Sequence, residues 1–275
     1  MPPVDPSLVG LTRGPLTSAY TWQDAALYAL AVGAGPEEAS LLYEGHPGGM
    51  QVLPSFAVVP ALRVWPQMPG LVKPLMVHGE QSLVLHRPLP AQARVVLTSR
   101  VANIFDKGKG ALIEVLVQGA LEDGVPLFDT QWKVFYLGGG GFGGEPGPKA
   151  VIHAPPEREP DYDLTYRVPP QQAALYRLLG DLNPLHIDPQ AAALAGFSRP
   201  VLHGLCTYGY ACRALVNGPL GGEPDGLREY SARFAGPVFP GDELRVKIWR
   251  QGDECRLEAE TPNGPVLKNG LAKLA

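Results

Sequence analysis

The sequence predicts an α+β fold built as two tandem units, each a helix set against an antiparallel sheet. Three observations carry that prediction. Ala25-Ala-Leu-Tyr28 recurs as Ala173-Ala-Leu-Tyr176, 148 positions further on. Behind each copy comes a run of strand-like stretches separated by tight-turn residues. Between the two halves lies a Gly/Pro-rich segment, residues 138–160. A helix followed by several strands, repeated once, calls for sheets packed on helices rather than a parallel α/β fold.

Taken in order, each tetrapeptide opens an amphipathic helix after a polar, Trp- or Pro-marked start. In the first half the strand candidates are Glu80–Leu85, Arg94–Asn103, Ala111–Leu121 and Thr130–Leu137. In the second they are Leu227–Phe234, Glu243–Arg250, Glu254–Glu260 and Val266–Leu274. Asp106-Lys-Gly108, Asp123-Gly124, Gly252-Asp253 and Asn263-Gly264 supply turns, the last being the strongest hairpin signal. Arg87-Pro-Leu-Pro90 lies opposite Gly236-Pro-Val-Phe-Pro240 at nearly the same offset. His78-Gly79 and His203-Gly204 read as a further repeated pair, at an offset of 125. Two such units bury most if their sheets join edge to edge, which also removes exposed edges. The expected division is residues 1–137, a linker at 138–160, and residues 161–275.

Composition narrows the function classes. The 275 residues carry a formal charge of −4, with 45% hydrophobic and 18% charged residues. That is globular usage, without the Lys/Arg block of a nucleic-acid binder. The 33 glycines and 30 prolines favour turns over long helices, and fifteen Arg to eight Lys suit a GC-rich bacterial genome. Three cysteines, Cys206, Cys212 and Cys255, make no disulfide framework and no C-x-x-C. The N-terminal stretch lacks a signal-peptide pattern, and residues 271–275 do not read as a peroxisomal address. No apolar run approaches the ~18–20 residues of a membrane helix, so a cytoplasmic protein is expected. Gly138, Gly140 and Gly143 formally satisfy G-x-G-x-x-G, but Pro146 and Pro148 follow where a phosphate-binding helix must start.

One stretch stands apart: Gly180-Asp181-Leu-Asn183-Pro184-Leu-His186, directly after an apolar helix. Pro184 disfavours helix at Asn183, and Gly180 permits a sharp exit. On a straight helix Asp181 and His186 would point about 140° apart, whereas in a loop they can converge and hold a water. Further on, Gly204 stands where a helix begins. Its backbone N–H, at the positive end of the helix, suits a developing oxyanion. A single Asp after a helix is ordinarily a cap and a single His ordinarily structural; it is the ordered combination that is specific.

Residues 176–204 resemble the hydratase 2 motif of the MaoC-like dehydratases, the (R)-specific 2-enoyl-CoA hydratases. Tyr20–Tyr28, Gln51–Phe56, His78–Gln81, Asp106–Gly110 and Gly139–Gly144 are similar to the two-repeat hydratase 2 of peroxisomal multifunctional enzyme type 2. The resemblance covers nearly the whole chain. It implies a double hotdog fold, two tandem repeats with a long helix wrapped by a curved antiparallel sheet in each. Only the second repeat keeps the motif: Val32-Gly33 stands opposite Gly180-Asp181, without a carboxylate. The degenerate first repeat then gives space for a bulky acyl chain.

What the resemblance implies about chemistry is reversible syn addition of water to a trans-2-enoyl-CoA, giving the (3R)-3-hydroxyacyl-CoA. Asp181 and His186 form the catalytic pair, Asn183 helps hold the water-binding loop, and the Gly204 N–H polarises the thioester carbonyl. His78, Gly79, Lys107 and Phe234 are the implied acyl-CoA contacts. The CoA thioester is substrate, so no cofactor is expected. Nor is a metal, since the six histidines are scattered without i,i+4 or carboxylate partners. Besides the acyl-CoA, the expected partner is a second copy of the chain, with neither nucleic acid nor membrane. Two other readings compete: a hotdog acyl-CoA thioesterase, and a non-catalytic acyl-CoA binding module. The intact motif favours hydration over both.

Overall fold

A computed structural model describes residues 3–72 and 75–275. Ten strands form one antiparallel sheet. In chain order they are β1 (Thr12–Tyr20), β2 (Met76–Leu85), β3 (Ala93–Asp106), β4 (Gly110–Leu121), β5 (Pro126–Leu137), β6 (Tyr162–Arg167), β7 (Leu227–Phe234), β8 (Glu243–Gln251), β9 (Glu254–Thr261) and β10 (Gly264–Leu274). Their order across the sheet is β1-β3-β4-β5-β2-β7-β10-β9-β8-β6, so the second half mirrors the first. The halves meet where β2 pairs with β7, edge to edge as expected.

That junction makes the repeat more exact than the tetrapeptide alone. The paired segments are centred on Ser82 opposite Ser231, an offset of 149. A cross-strand ion pair is repeated as well: Lys133 to Glu80 at 2.5 Å between β5 and β2, and Lys273 to Glu229 at 3.1 Å between β10 and β7. His78-Gly79 and His203-Gly204 are not a repeated pair, however. His78 lies in strand β2, whereas Gly204 starts a helix; the 125-residue offset belongs to no structural repeat. At the 149-residue offset of Ser82 and Ser231, residues 203 and 204 fall opposite Pro54 and Ser55.

All eight anticipated strands are present, and the four turn signals join consecutive strands. Two strands escaped the reading, β1 and β6, and both are sheet edges. β1 carries Gly14-Pro15 and is exposed over its first six residues. Proline suits an edge, where the ladder loses no donor. β6 is six residues long beside a Pro-rich stretch.

The helices are unequal. The first half has α1 (Trp22–Ala31), then a 3₁₀ turn at Pro54–Ala57 running into α2 (Val58–Leu62). The second has α3 (Gln172–Tyr176), α4 (Pro189–Leu194) and the long α5 (Gly204–Asn217). Helix α2 carries Pro60 and has five residues to the fourteen of α5. Helix α5 is mostly apolar or small, Arg213 excepted, and Leu205–Val216 are all buried. Tyr208 and Tyr230 stack at 4.1 Å, each hydroxyl donating to the other's carbonyl, which ties α5 to β7.

Contacts between the halves are polar as well as apolar. The repeated tyrosines Tyr28 and Tyr176 face each other at 6.2 Å, and the Gln172 amide donates to the Leu30 carbonyl at 3.0 Å. Arg213 of α5 forks onto Glu38 of the first half, with Nε to Oε1 at 2.7 Å, and its guanidinium lies 4.7 Å from the Tyr166 ring. The segment after β5 is docked rather than loose. Gly141 and Gly143 donate N–H to the Asp106 carboxylate at 2.9 and 2.8 Å. No helix follows Gly143, in keeping with the rejected phosphate-loop reading.

Candidate active site

The second-half site begins where α3 ends. A 3₁₀ turn, Arg177–Leu179, exits through Gly180 at φ +115°. Nothing lies within 4 Å of a Cβ built there, so glycine is required by the backbone angle, not by space. Asp181 follows at once. Its Oδ1 accepts the Asn183 N–H at 3.2 Å, and the Asn183 Oδ1 accepts the Leu185 N–H at 3.1 Å, capping the Pro184–His186 turn. Asn183 therefore shapes the loop through its neighbours' amides.

The turn carries His186 inward, leaving it 8% exposed. Its Nδ1 lies 2.9 Å from the Val201 carbonyl. A carbonyl only accepts, so Nδ1 bears the proton and Nε2 is left as a lone pair. Burial holds the His186 pKa below the ordinary imidazole value, against the opposing effects of Val201 and Asp181. The imidazole is neutral at neutral pH and basic at Nε2.

Immediately before α5, His203 lies face to face with His186, ring centres 3.7 Å apart at 28°. Its Nε2–H donates to the Asp181 carbonyl oxygen at 3.2 Å, and its ring centre lies 4.9 Å from that of Tyr176. Burial and the neighbouring His186 push the His203 pKa down to about 3. Gly204 opens α5, and its N–H makes no backbone hydrogen bond among the described residues. A Cβ on Gly204 would come within 3.3 Å of the Phe234 ring. Phe234 in turn meets the His78 ring at 4.7 Å. His78 comes from β2, at the bulge that includes Gly79; its Nε2 is buried without a partner, and desolvation lowers its pKa to about 4. Beside Asp181 a cavity of about 10 Å³, of the order of one water, is lined by Val58, Val59 and Leu62 of α2 and by Tyr176, Leu179 and Leu205.

A chain of contacts thus links Asp181, Asn183 and His186, through His203 and Gly204, to Phe234 and to His78 beside Gly79 in the other half. Lys107 stands apart, exposed at the β3–β4 turn, with Nζ on the Pro146 carbonyl and 5.7 Å from the Phe105 ring. Sequence reasoning left His203 out of the site; its place directly before Gly204 was the available signal. The α2 side chains gave none.

The histidines are not all without carboxylate partners. His86 lies 3.1 Å from Asp129. Donor atoms of Asp181, His186 and His203 all lie within 4.8 Å of one another, a set that could hold a cation. One nitrogen of each ring is already engaged, His186 Nδ1 by the Val201 carbonyl and His203 Nε2 by the Asp181 carbonyl.

In the first half the equivalent position has no such chemistry. The left-handed exit from α1 is Gly33, at φ +82°, which aligns it with Gly180 and puts Ala34 opposite Asp181. That is one residue from the register read in the sequence, and it still offers no carboxylate. Ser55, opposite Gly204, is fully buried.

Residues 18–138 match the MFE-2 hydratase 2 N-terminal domain, and residues 150–268 match the MaoC like domain. Enoyl-CoA hydratase ChsH3 of Mycobacterium tuberculosis is 40% identical over 277 residues, covering 96% of each chain. This chain belongs to the MaoC-like hydratase 2 family. The peroxisomal enoyl-CoA hydratase 2 of Arabidopsis thaliana is 37% identical, covering 85% of this chain and 82% of its own. The crystal structure of a MaoC-like dehydratase from Phytophthora capsici superposes with a TM-score of 0.89 at 28% identity, over 99% of this chain and 97% of that one. The fold is the family's double hotdog. Asp181 and His186 fall within the MaoC like match and His78 within the MFE-2 hydratase 2 N-terminal match. No helix among the described residues is long and apolar enough to cross a membrane.

Proposed function

We propose that this protein is a hydro-lyase that reversibly adds water to trans-2-enoyl-CoA thioesters, giving (3R)-3-hydroxyacyl-CoA. One observation carries the reading: a neutral His186, its Nδ1–H spent on Val201, has a ring nitrogen within 4.8 Å of an Asp181 carboxylate oxygen, and Asp181 in turn borders a water-sized cavity. The relatives named enoyl-CoA hydratase support the same reaction class.

The residues act as follows. The thioester carbonyl accepts from the Gly204 N–H, which draws electron density from C3 and stabilises the enolate-like charge. A water held between the Asp181 carboxylate and His186 Nε2 adds its oxygen to C3. One of its protons passes to the pair and is returned to C2 on the same face, so the pair ends as it began. The atoms balance with water alone and nothing is oxidised or reduced, so the chemistry calls for no redox cofactor. The acyl chain runs from Asp181 along Val58, Val59 and Leu62. A cytoplasmic location and a homodimer complete the reading; cell fractionation and sedimentation test them.

Crotonyl-CoA tests the reaction class. Loss of enoyl absorbance without release of free thiol is expected. Thiol release without hydration would make the protein a thioesterase, and neither would leave a binding module.

A further inference from the structure

We infer that His203 is a positioning residue that sets both members of the Asp181–His186 pair, through its ring face on one and its Nε2–H on the other. The inference rests on the proposed hydration. It assigns to a third histidine the work of holding the first two.

The argument starts from what His203 forgoes. It occupies the position before the first turn of α5, where Ser, Thr, Asp or Asn would cap the helix, yet its side chain makes no cap bond. It is 1% exposed, and its Nδ1 is buried without a partner, which costs desolvation free energy. A residue that breaks local rules this way is expected where a site requires it. Besides a ring contact with Tyr176, its side chain makes two interactions, and both end on the pair. The ring covers one face of His186, which excludes water from that face and fixes the plane in which Nε2 points. The Nε2–H holds the Asp181 main-chain oxygen, one residue after the left-handed turn that aims the carboxylate. Because Gly204 is the next residue, one segment positions the oxyanion donor and the water-holding pair together.

The first half supplies an internal comparison. There Ala34 stands in place of Asp181, and the residues 147 to 149 positions before His203, Phe56, Ser55 and Pro54, include no histidine. The half without the pair is also without this histidine. The groups facing His186 are Asp181 from its own loop and His203 from α5; His78 of β2 and Arg177 of the turn after α3 act on them from further out.

Two variants separate the two contacts. His203→Phe keeps a ring against His186 and gives up the bond to Asp181. Its kcat for crotonyl-CoA should fall about ten- to hundredfold with little change in KM, the scale of a small misplacement, and its acid limb should stay in place. His203→Gln offers an amide N–H to the Asp181 carbonyl and gives up the ring. It should recover part of kcat, while water reaching His186 raises its pKa and moves the acid limb of activity upward. Following the His186 imidazole by NMR in the resting protein reads the second effect without turnover, so the assignment stays testable even if crotonyl-CoA is not hydrated. Folded variants with wild-type kcat, or a His186 titration unmoved in His203→Gln, would overturn the inference.

Discussion

Asp181 and His186 are the residues on which the mechanism stands. Asp181→Asn or His186→Ala is expected to lower kcat at least ~10²-fold in a folded protein, the usual scale for a positioned acid or base. Steady-state kinetics on crotonyl-CoA, with circular dichroism to check folding, decide it. The pH dependence has a definite sign. Burial lowers the His186 pKa, so the neutral, proton-accepting form persists below the ordinary imidazole range; the acid limb of kcat should lie below that range. Stability follows the same sign. His203 and His78 are neutral when folded, with pKa values of about 3 and about 4, and ordinary when unfolded. Their contribution is full above ~6.5 and is lost as pH falls toward those lowered values, because the unfolded chain takes up the protons first. Urea melts from pH 7 to pH 4 should show the decline.

At the scale of elements, legibility tracked how much of each strand is buried. The eight inner strands alternate strongly because one face packs on the core, and their hairpins end in glycines such as Gly108, Gly124 and Gly264 at positive φ. The edges β1 and β6 bury less and left no such pattern. The Gly180–His186 turn was legible because capping, proline and left-handed glycine are local effects written in adjacent residues. His78 and Phe234 reach the cleft by strand pairing across the junction, which no local signal encodes; only the family resemblance singled them out. Lys107 belongs to a hairpin whose contacts are with the segment after β5. If it also meets a CoA phosphate, Lys107→Ala will raise KM severalfold at low ionic strength, leave kcat unchanged, and lose its effect as salt screens the contact. An unchanged KM at low salt would confine the lysine to the hairpin.

The molecule as a whole is a duplicated sheet closed around a helix that only the second half kept long. The two halves are locked by the β2–β7 junction, by Tyr28 against Tyr176, and by Arg213 on Glu38. Both members of that ion pair are largely buried, with side chains 6% and 11% exposed. Burial opposes the Glu38 charge, but the bonds from Arg213, Asn217 and the Gly35 N–H outweigh it and hold the carboxyl below its usual pKa. Arg213→Ala should therefore destabilise by roughly 3 kcal/mol by leaving a buried carboxylate unpaired, and Glu38→Ala added to it should cost less than the sum. Denaturant melts of the single and double variants give the coupling. The account's central claim is that one cleft, with its water on the Asp181–His186 side and its carbonyl on Gly204, adds both atoms to the same face. Hydrating crotonyl-CoA in D₂O and resolving the product by chiral analysis and NMR tests that claim most directly. The account predicts the (3R) alcohol with deuterium at C2 on the same face as the new hydroxyl; a (3S) product, or deuterium on the opposite face, would contradict it.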